Sequence, residues 1–264
     1  YSVSRISGLV GYMLAGGVIA LIGAVGALWI DAATFLISSA IIWSIRYQEN
    51  LQGAKQTVKG VIQDFAEGFR FIHASRTIQT VSLIGLLINF GIMPLTVFQT
   101  PYVSDYLKMG PETLSYIKIL TSAGMITGSA LLPKLGKIKT PVIAVAAGVI
   151  MGAALIEMSI AQSLSTPVLK MGILTLSMLS IGFGGGLLNV VIGSSVMKAV
   201  PKEMMGRISG FLTAMMQASM PVASFICSAL AVYFHIPHIL VFFGSLTLIC
   251  SLALYFRKKL DALS

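Results

Sequence analysis

Three ionisable side chains interrupt long apolar stretches of this sequence, at Asp31, Lys118 and Glu157. A charge at the middle of a bilayer costs about 2.5–3.5 kcal/mol on insertion scales, so such a residue is a candidate for ion binding or proton transfer. Side chains lean toward the N-terminus of their helix, which lets Asp31 and Lys118 reach the membrane interface but turns Glu157 back into the bilayer. We therefore predict that Glu157 couples to protons or binds a cation, with an outer-loop carboxylate as the alternative. For Asp31 and Lys118 the alternative is a charge held at the interface.

Amide side chains in the same stretches can bind a ligand without carrying charge, and they are Asn89, Gln99, Asn189 and Gln217. Asn89 and Gln217 stand roughly twelve and ten residues into their stretches, which is near mid-bilayer at about 1.5 Å per residue. Pro94 and Pro221 follow them closely and can bend each helix around a cavity. We predict that these amides line a substrate site. The alternative is a hydrogen bond between helices, worth about 0.6 kcal/mol.

The sequence contains no motif for catalysis, metal binding or phosphate binding. It has no hydrolytic triad and no metal-ligand spacing, and its Gly-rich run from Gly182 to Gly186 lies inside an apolar stretch without a basic partner for phosphate. The two cysteines, Cys227 and Cys250, also lie in apolar stretches, where we interpret them as small buried hydrophobic residues. We expect no metal, no cofactor and no enzymatic activity.

The composition indicates what kind of structure must position these residues. The chain is 56% hydrophobic and only 10% charged, with a mean hydropathy of +0.90. A soluble domain has about 25% charged residues, so we predict an all-α polytopic membrane protein with about eight transmembrane helices, each of about 20 residues. The predicted spans are Ile6–Ile22, Ala24–Ile45, Thr77–Gln99, Glu112–Leu132, Pro141–Ala161, Val168–Met197, Arg207–Phe234 and Pro237–Phe256.

The positive charges alternate with these spans. If the end that carries Arg5 is cytoplasmic, every Lys and Arg except Lys108, Lys118 and Lys170 falls on the cytoplasmic side. This is the positive-inside distribution, and it predicts that both ends of the chain lie in the cytoplasm beside a bacterial-type cell membrane. The net charge of +9 then reflects topology and contact with anionic lipid headgroups, not nucleic-acid binding.

Pairs of glycines four residues apart predict where helices approach each other closely. Glycine has no side chain, so such a pair lets a neighbouring helix reach the backbone. A sliding surface between moving helices is the alternative role. The pairs are Gly124–Gly128, Gly148–Gly152, Gly182–Gly186 and Gly206–Gly210.

A short repeat suggests how the chain is organised. The tetrapeptide Arg-Ile-Ser-Gly occurs at residues 5–8 and 207–210, and each copy opens a span that is followed by one more span. If the copies are equivalent points of two repeats, the complete protein has twelve spans in two parallel six-helix halves, with four helices ahead of Tyr1. We then expect two helices of an N-terminal bundle in 1–45, a cytoplasmic amphipathic linker in 46–76, a C-terminal six-helix bundle in 77–256 and a cytoplasmic tail in 257–264.

Four segments carry more specific patterns. Residues 28–36, LWIDAATFL, place an Asp-Ala pair ahead of a small residue and Phe, and residues 64–72, DFAEGFRFI, form an acidic-Gly-aromatic run. Residues 201–207, PKEMMGR, form a Pro-x-x-x-x-Gly-Arg turn, and residues 128–139 contain a basic tight turn. Together these segments resemble the macrolide-efflux and enterobactin-exporter-like group of the major facilitator superfamily. The resemblance implies the major facilitator fold and secondary active transport.

The cytoplasmic loops carry part of this resemblance and also depart from it. Pro133 stands in place of the Asp of the superfamily's loop motif, and Ser129 in place of its first Gly, so we do not expect a charge latch through that Asp. The residues that keep the basic, tight-turn character of the loop motifs are Lys134, Gly136, Lys137, Lys139, Gly206 and Arg207.

These patterns lead to one functional prediction with two alternatives. We predict proton-coupled efflux of a small amphipathic compound, such as a macrolide or another drug, with the bilayer, the small-molecule substrate and protons as partners. Met215, Met216 and Met220 offer soft side chains that suit bulky apolar substrates. The first alternative is a siderophore or metabolite exporter, for which Lys118 is the visible cationic candidate. The second is a truncated membrane protein that does not transport.

Overall fold

The computed structural model describes residues 26, 28–44, 69–70, 76–132, 140–201 and 204–256, and the elements within these ranges are helical. We number the α-helices in chain order. The predicted spans and the observed helices agree closely in position wherever both can be compared. The helices are α1 (Leu28–Ser44), α2 (Arg76–Pro101), α3 (Glu112–Leu131), α4 (Thr140–Ala161), α5 (Pro167–Ala199), α6 (Met205–Ala231) and α7 (Ile236–Phe256).

The described residues do not support the predicted count of eight membrane-crossing helices. Within the described residues, 5 helices are long and apolar enough to cross a membrane: α2, α4, α5, α6 and α7. α3 is not among them because Glu112, Lys118 and a series of Ser and Thr residues reduce its hydropathy. α1 is apolar but shorter, and the predicted span Ile6–Ile22 lies outside the described residues.

Two other predicted regions fall largely outside the part of the chain that is described. The amphipathic linker expected in 46–76 is represented by the helical residues 69–70 and by Arg76, the first residue of α2. The tail expected in 257–264 is not described at all. The division into an N-terminal pair of helices, a linker and a six-helix bundle therefore stays a prediction.

α2 runs further than its predicted end at Gln99. It passes through Pro94 and Pro101 and continues as a π-helical turn, Tyr102–Leu107. Lys108 ends the turn in the left-handed conformation, with φ of 59°, and its backbone N–H donates to the carbonyl of Val103. α5 is bounded more simply, because Pro167 opens its first turn and extended residues flank both ends.

α3 and α5 pack with their backbones in direct contact. A Cβ added at Gly124 would lie 2.3 Å from the Leu179 carbonyl oxygen, and one added at Gly182 would lie 2.1 Å from that of Thr121. Gly128 and Gly186 repeat the arrangement one turn further along the two helices. The predicted pairs Gly124–Gly128 and Gly182–Gly186 are therefore confirmed as packing positions, and they pack against each other.

α4 and α7 form a second close pair. A Cβ at Gly152 would meet the Gly244 carbonyl oxygen at 2.8 Å, and one at Gly148 would meet the Ser251 hydroxyl at 2.2 Å, so this predicted pair is confirmed as well. Gly206 and Gly210 make no such contact with the described part of the chain. Neither has a described atom within 4 Å of an added Cβ, because this side of α6 is exposed.

The remaining contacts join these pairs into one bundle. α2 lies between α6 and α7, with the Phe90 and Phe243 rings stacked at a centroid distance of 5.3 Å. The Tyr102 hydroxyl donates a hydrogen bond to the Met158 carbonyl, which ties the far end of α2 to α4. α5 and α6 meet near their connection through a separate apolar cluster: Val196, Val200, Ile208 and Leu212.

Candidate functional site

A cavity of about 550 Å³ lies between α2, α5 and α6, with α3 and α4 contributing to its wall. No Asp, Glu, Lys, Arg or His lines it among the described residues. The lining residues combine aliphatic and methionine side chains with a few uncharged polar groups. They are Gly85, Ile88, Asn89, Ile92, Met125, Met151, Gly185, Leu188, Asn189, Ile192, Gly193, Val196, Met197, Met205, Ser209, Leu212, Thr213 and Met216.

The Gly-rich run of α5 explains how a cavity forms inside a packed bundle. Successive helical residues point about 100° apart, so the glycines of this run face different neighbours. Gly182 and Gly186 meet α3, Gly184 meets Met151 of α4, and Gly185 lines the cavity. One short segment therefore permits close packing on two sides and leaves space on a third.

Asn89 connects two walls of the cavity. Its Nδ2 donates to the Met216 carbonyl oxygen at 3.5 Å, which joins α2 to α6. Gly85, one turn earlier on α2, leaves room for the Met216 side chain, whose Cε would lie 2.4 Å from a Cβ at that position. Met216 is thus held by its backbone and its side chain against the same face of α2.

Asn189 stands on the α5 wall of the same cavity and differs from Asn89 in its surroundings. No hydrogen bond from its amide is seen among the described residues, and the side chain is partly buried. An amide with two N–H donors and a carbonyl acceptor can therefore engage a ligand without first breaking a contact within the bundle. The structure brings Asn89 and Asn189 to one cavity.

Comparison with known proteins provides the family. The chain matches the family model described as Major Facilitator Superfamily over residues 1–224, which is well over half of its length. This chain belongs to the major facilitator superfamily. It is accordingly a multi-pass membrane transporter, not a member of an enzyme family. No curated protein and no solved structure matches the chain.

The other amides of this major facilitator protein lie outside the cavity. Gln217 is exposed and does not share the Asn89 site, because it follows Met216 by one residue and points about 100° away from it. Gln99 lies two turns or more beyond Asn89 on α2, in a small space lined also by Tyr102, Met158 and Leu240. A role for either amide in transport stays a prediction.

Glu157 lies between α4 and α5, away from the lining of the cavity. It is partly buried, and its Oε2 accepts a hydrogen bond of 3.3 Å from the hydroxyl of Ser177, which is fully buried. The partly buried carboxylate thus has a polar partner on the neighbouring helix. Whether it carries protons stays a prediction.

The two remaining ionisable candidates are exposed. Lys118 lies on α3 and Asp31 on α1, and neither contributes to the cavity wall. The hydroxyl of Thr34 donates to the backbone carbonyl of Asp31 at 2.7 Å. This contact lies within α1 and does not involve the side-chain carboxylate of Asp31. Their exposure fits the interfacial alternative as well as a functional role.

The loop-motif residues can be located only in part. Gly206 and Arg207 are exposed in the first turn of α6, next to Met205 at the cavity wall. Lys134, Gly136, Lys137 and Lys139 lie outside the described residues.

Met216 was predicted as a substrate contact and lines the cavity, whereas Met215 and Met220 do not. Several other lining residues were not predicted, although the helical period contains a signal for them. On α6, Met205, Ser209, Leu212 and Met216 recur at intervals of three or four residues, which places them on one face. On α5 the lining positions from Gly185 to Met197 repeat in the same way. The sequence alone does not say which face of a helix meets a cavity and which meets lipid.

Proposed function

We propose that this transporter exports a small amphipathic compound of low charge, such as a macrolide or a related drug, by coupling its movement to protons. The observation that carries the proposal is the chemistry of the cavity wall. Methionine and aliphatic side chains supply adaptable apolar contact, while Asn89, Asn189, Ser209 and Thr213 supply hydrogen bonds. Such a wall suits molecules that are bulky, largely apolar and able to form a few hydrogen bonds.

The alternative substrate class is an anionic siderophore or metabolite. Its recognition in a membrane interior requires cationic partners, because a buried unpaired anion is strongly unfavourable. No Lys, Arg or His lines the cavity among the described residues, and Lys118 is exposed on α3. The wall chemistry therefore favours the amphipathic compound over the anion.

The proposed driving force is the proton gradient, with Glu157 as the titrating group. One elementary charge that crosses 100 mV of membrane potential carries about 2.3 kcal/mol, which supports uphill export without nucleotide hydrolysis. Two observations support this role: Glu157 is partly buried between α4 and α5, and it accepts a hydrogen bond from Ser177 on α5, the helix that also carries Asn189. Protonation that changes this contact would act on a wall of the cavity.

The proposed setting is a bacterial-type cell membrane with both ends of the chain in the cytoplasm. In that orientation α5 ends and α6 begins on the cytoplasmic side, so Met197 and Met205 lie toward the end of the cavity from which a cytoplasmic compound arrives. Rocking of two helical bundles around the cavity would then release the compound outside. The resemblance of the loop segments to macrolide exporters supports the same direction.

The proposal is tested by efflux from energised cells that express the complete gene. Ethidium and erythromycin are the amphipathic probes, and a catecholate siderophore is the anionic probe, each measured with and without a protonophore. We expect efflux of the amphipathic probes that the protonophore abolishes, and no efflux of the siderophore. Siderophore efflux without drug efflux would contradict the proposed substrate class, and efflux that persists with the protonophore would contradict proton coupling.

A further inference from the structure

A second space in the bundle lies where α6 ends and α7 begins, away from the central cavity. It is a groove of about 530 Å³, lined by Leu230, Phe234, His238, Ile239 and Phe242. None of these residues lines the central cavity. We call this space the α6–α7 groove.

The groove has an apolar floor and open walls. Ile239 is 1% exposed at the floor beside the partly buried Leu230, whereas Phe234 and Phe242 are each 55% exposed. Both helices meet the length and hydropathy of a membrane span. In the described part of the chain, the groove therefore opens outward from α6 and α7, not toward the central cavity.

The position of the groove along the helices places one end at the membrane boundary. α7 begins at Ile236, so His238 lies in its first turn, while Phe242 is one turn deeper, about 6 Å further along the axis. The groove thus runs from the level of lipid headgroups toward the hydrocarbon. A phospholipid is arranged in the same way, with its polar headgroup at the membrane surface and its hydrocarbon chains deeper in the bilayer.

The rim of the groove carries the imidazole of His238, and the imidazole of His235 lies beside it. The His238 ring lies 6.2 Å from that of His235, and His235 Nδ1 is 3.5 Å from the Tyr106 hydroxyl, which fixes the place of this second imidazole. An imidazole N–H can donate to a phosphate oxygen in either protonation state. Among the residues that the structure describes, no Asp or Glu lines the groove to oppose a phosphate.

We propose that the α6–α7 groove binds one acyl chain of a phospholipid, with the headgroup phosphate at His238. Bulk lipid is already as apolar as the groove, so moving an acyl chain from the bilayer into the groove gives no preference for a particular lipid by burial alone. Specificity comes instead from the shape formed by Phe234 and Phe242 and from the imidazole donor at the rim. The groove is thus a lipid site that is independent of the proposed transport substrate.

Photolabelling in nanodiscs tests this proposal on the complete protein. The discs contain phosphatidylethanolamine and phosphatidylglycerol, with a small fraction of phosphatidylglycerol that carries a diazirine in its acyl chain. After illumination, labelled peptides are mapped by mass spectrometry. The reference position is Phe225, an apolar residue of α6 that is 77% exposed but lies outside the groove. We expect the groove residues to be labelled several-fold more than the Phe225 region.

Matched variants separate the groove from general lipid contact. Phe242→Ala removes a wall and is expected to reduce groove labelling several-fold, whereas Phe225→Ala removes a similar exposed ring and is expected to leave it unchanged. His238→Ala should reduce labelling by the phosphatidylglycerol probe to the level of a diacylglycerol probe that has no phosphate. Equal labelling of the groove and the Phe225 region would overturn the proposal. Displacement of the probe by ethidium or erythromycin would also overturn it, since the groove would then bind the transported compound.

Discussion

At the scale of single residues, Asn89 and Asn189 share a cavity but have different partners. Asn89 donates to the Met216 carbonyl and thereby joins α2 to α6, while no partner of the Asn189 amide is seen in the described part of the chain. Both amides line the cavity, but only that of Asn89 also joins two helices. We propose on this basis that Asn89 contributes to packing and that Asn189 contacts the substrate.

Replacing each amide by alanine should separate these roles. Asn189→Ala is expected to raise the KM for the exported compound about tenfold, since a lost hydrogen bond costs about 1–1.5 kcal/mol, and to leave thermal stability unchanged. Asn89→Ala is expected to reduce the free energy of unfolding by about 0.6 kcal/mol, because it removes a hydrogen bond between helices. Efflux kinetics and melting of the purified protein measure the two effects. A stability loss in Asn189→Ala with unchanged KM would contradict the assignment.

Gly85 should control the shape of the cavity through Met216. An alanine Cβ at this position would lie 2.8 Å from the Met216 Sδ, and only the flexible end of that side chain has to move. We expect Gly85→Ala to shift the methionine and to reduce efflux of erythromycin more than efflux of the smaller ethidium, with little change in melting temperature. Gly193→Ala is the matched control, because this lining glycine has nothing within 4 Å of an added Cβ. Equal effects on both compounds in Gly85→Ala would contradict this explanation.

At the scale of helices, the bundle is held by two pairs whose backbones touch. In the α3–α5 pair each of four glycines leaves less than 2.4 Å between an added Cβ and a facing carbonyl oxygen. In the α4–α7 pair Gly152 and Gly244 oppose each other. Van der Waals contact and close approach drive helix association in lipid, so these pairs contribute strongly to holding the bundle together.

The α3–α5 contact gives a sharp test with a control on the same helix. Gly182→Ala would place its Cβ 2.1 Å from the backbone of Thr121, so the helices must separate, and we expect a loss of about 1–3 kcal/mol in the free energy of unfolding. Gly172→Ala, also on α5, has nothing within 4 Å and is expected to be neutral or slightly stabilising. Unfolding in detergent measures both variants. Similar stability of the two variants would show that the helices are not in backbone contact.

Spacing in the sequence predicted part of this arrangement and left part of it open. The intervals Gly124–Gly128 and Gly182–Gly186 predicted close packing, but nothing in either interval says that the two pairs face each other. Gly206–Gly210 has the same interval and is exposed. The interval alone does not show whether a neighbouring helix is present.

The prediction that Gln217 shares a site with Asn89 failed for a related reason. A rotation of one residue decides which side chain of α6 faces α2, and the amphipathic signal of a membrane helix is too weak to fix that rotation.

At the scale of the whole molecule, the distribution of Lys and Arg predicts the direction in which the bundle is inserted. The connection between α4 and α5 should lie outside the cell, and the end of α5 should lie in the cytoplasm. In this orientation the wall residues Met197 and Met205 are close to the cytoplasm, as export of a cytoplasmic compound requires.

Single cysteines placed just before α5 and in its last turn test this orientation. Ser165 and Lys198 are both exposed, whereas the native Cys227 is buried and Cys250 lies within α7. We expect a membrane-impermeant maleimide to label Ser165→Cys in intact cells and Lys198→Cys only after lysis, with the unmodified chain as the blank. The reverse order of labelling would place the cavity mouth outside and contradict export from the cytoplasm.

The central claim, proton-coupled movement of an amphipathic compound, is tested most directly with purified protein in liposomes. An imposed pH gradient drives the uptake of ethidium, and the wild type is compared with Glu157→Gln. We predict that the wild type accumulates ethidium only while the gradient lasts, and that Glu157→Gln loses this accumulation but retains exchange of ethidium down its own gradient. Equal accumulation by the variant would remove Glu157 from the coupling path, and no gradient-driven accumulation by the wild type would contradict the account itself.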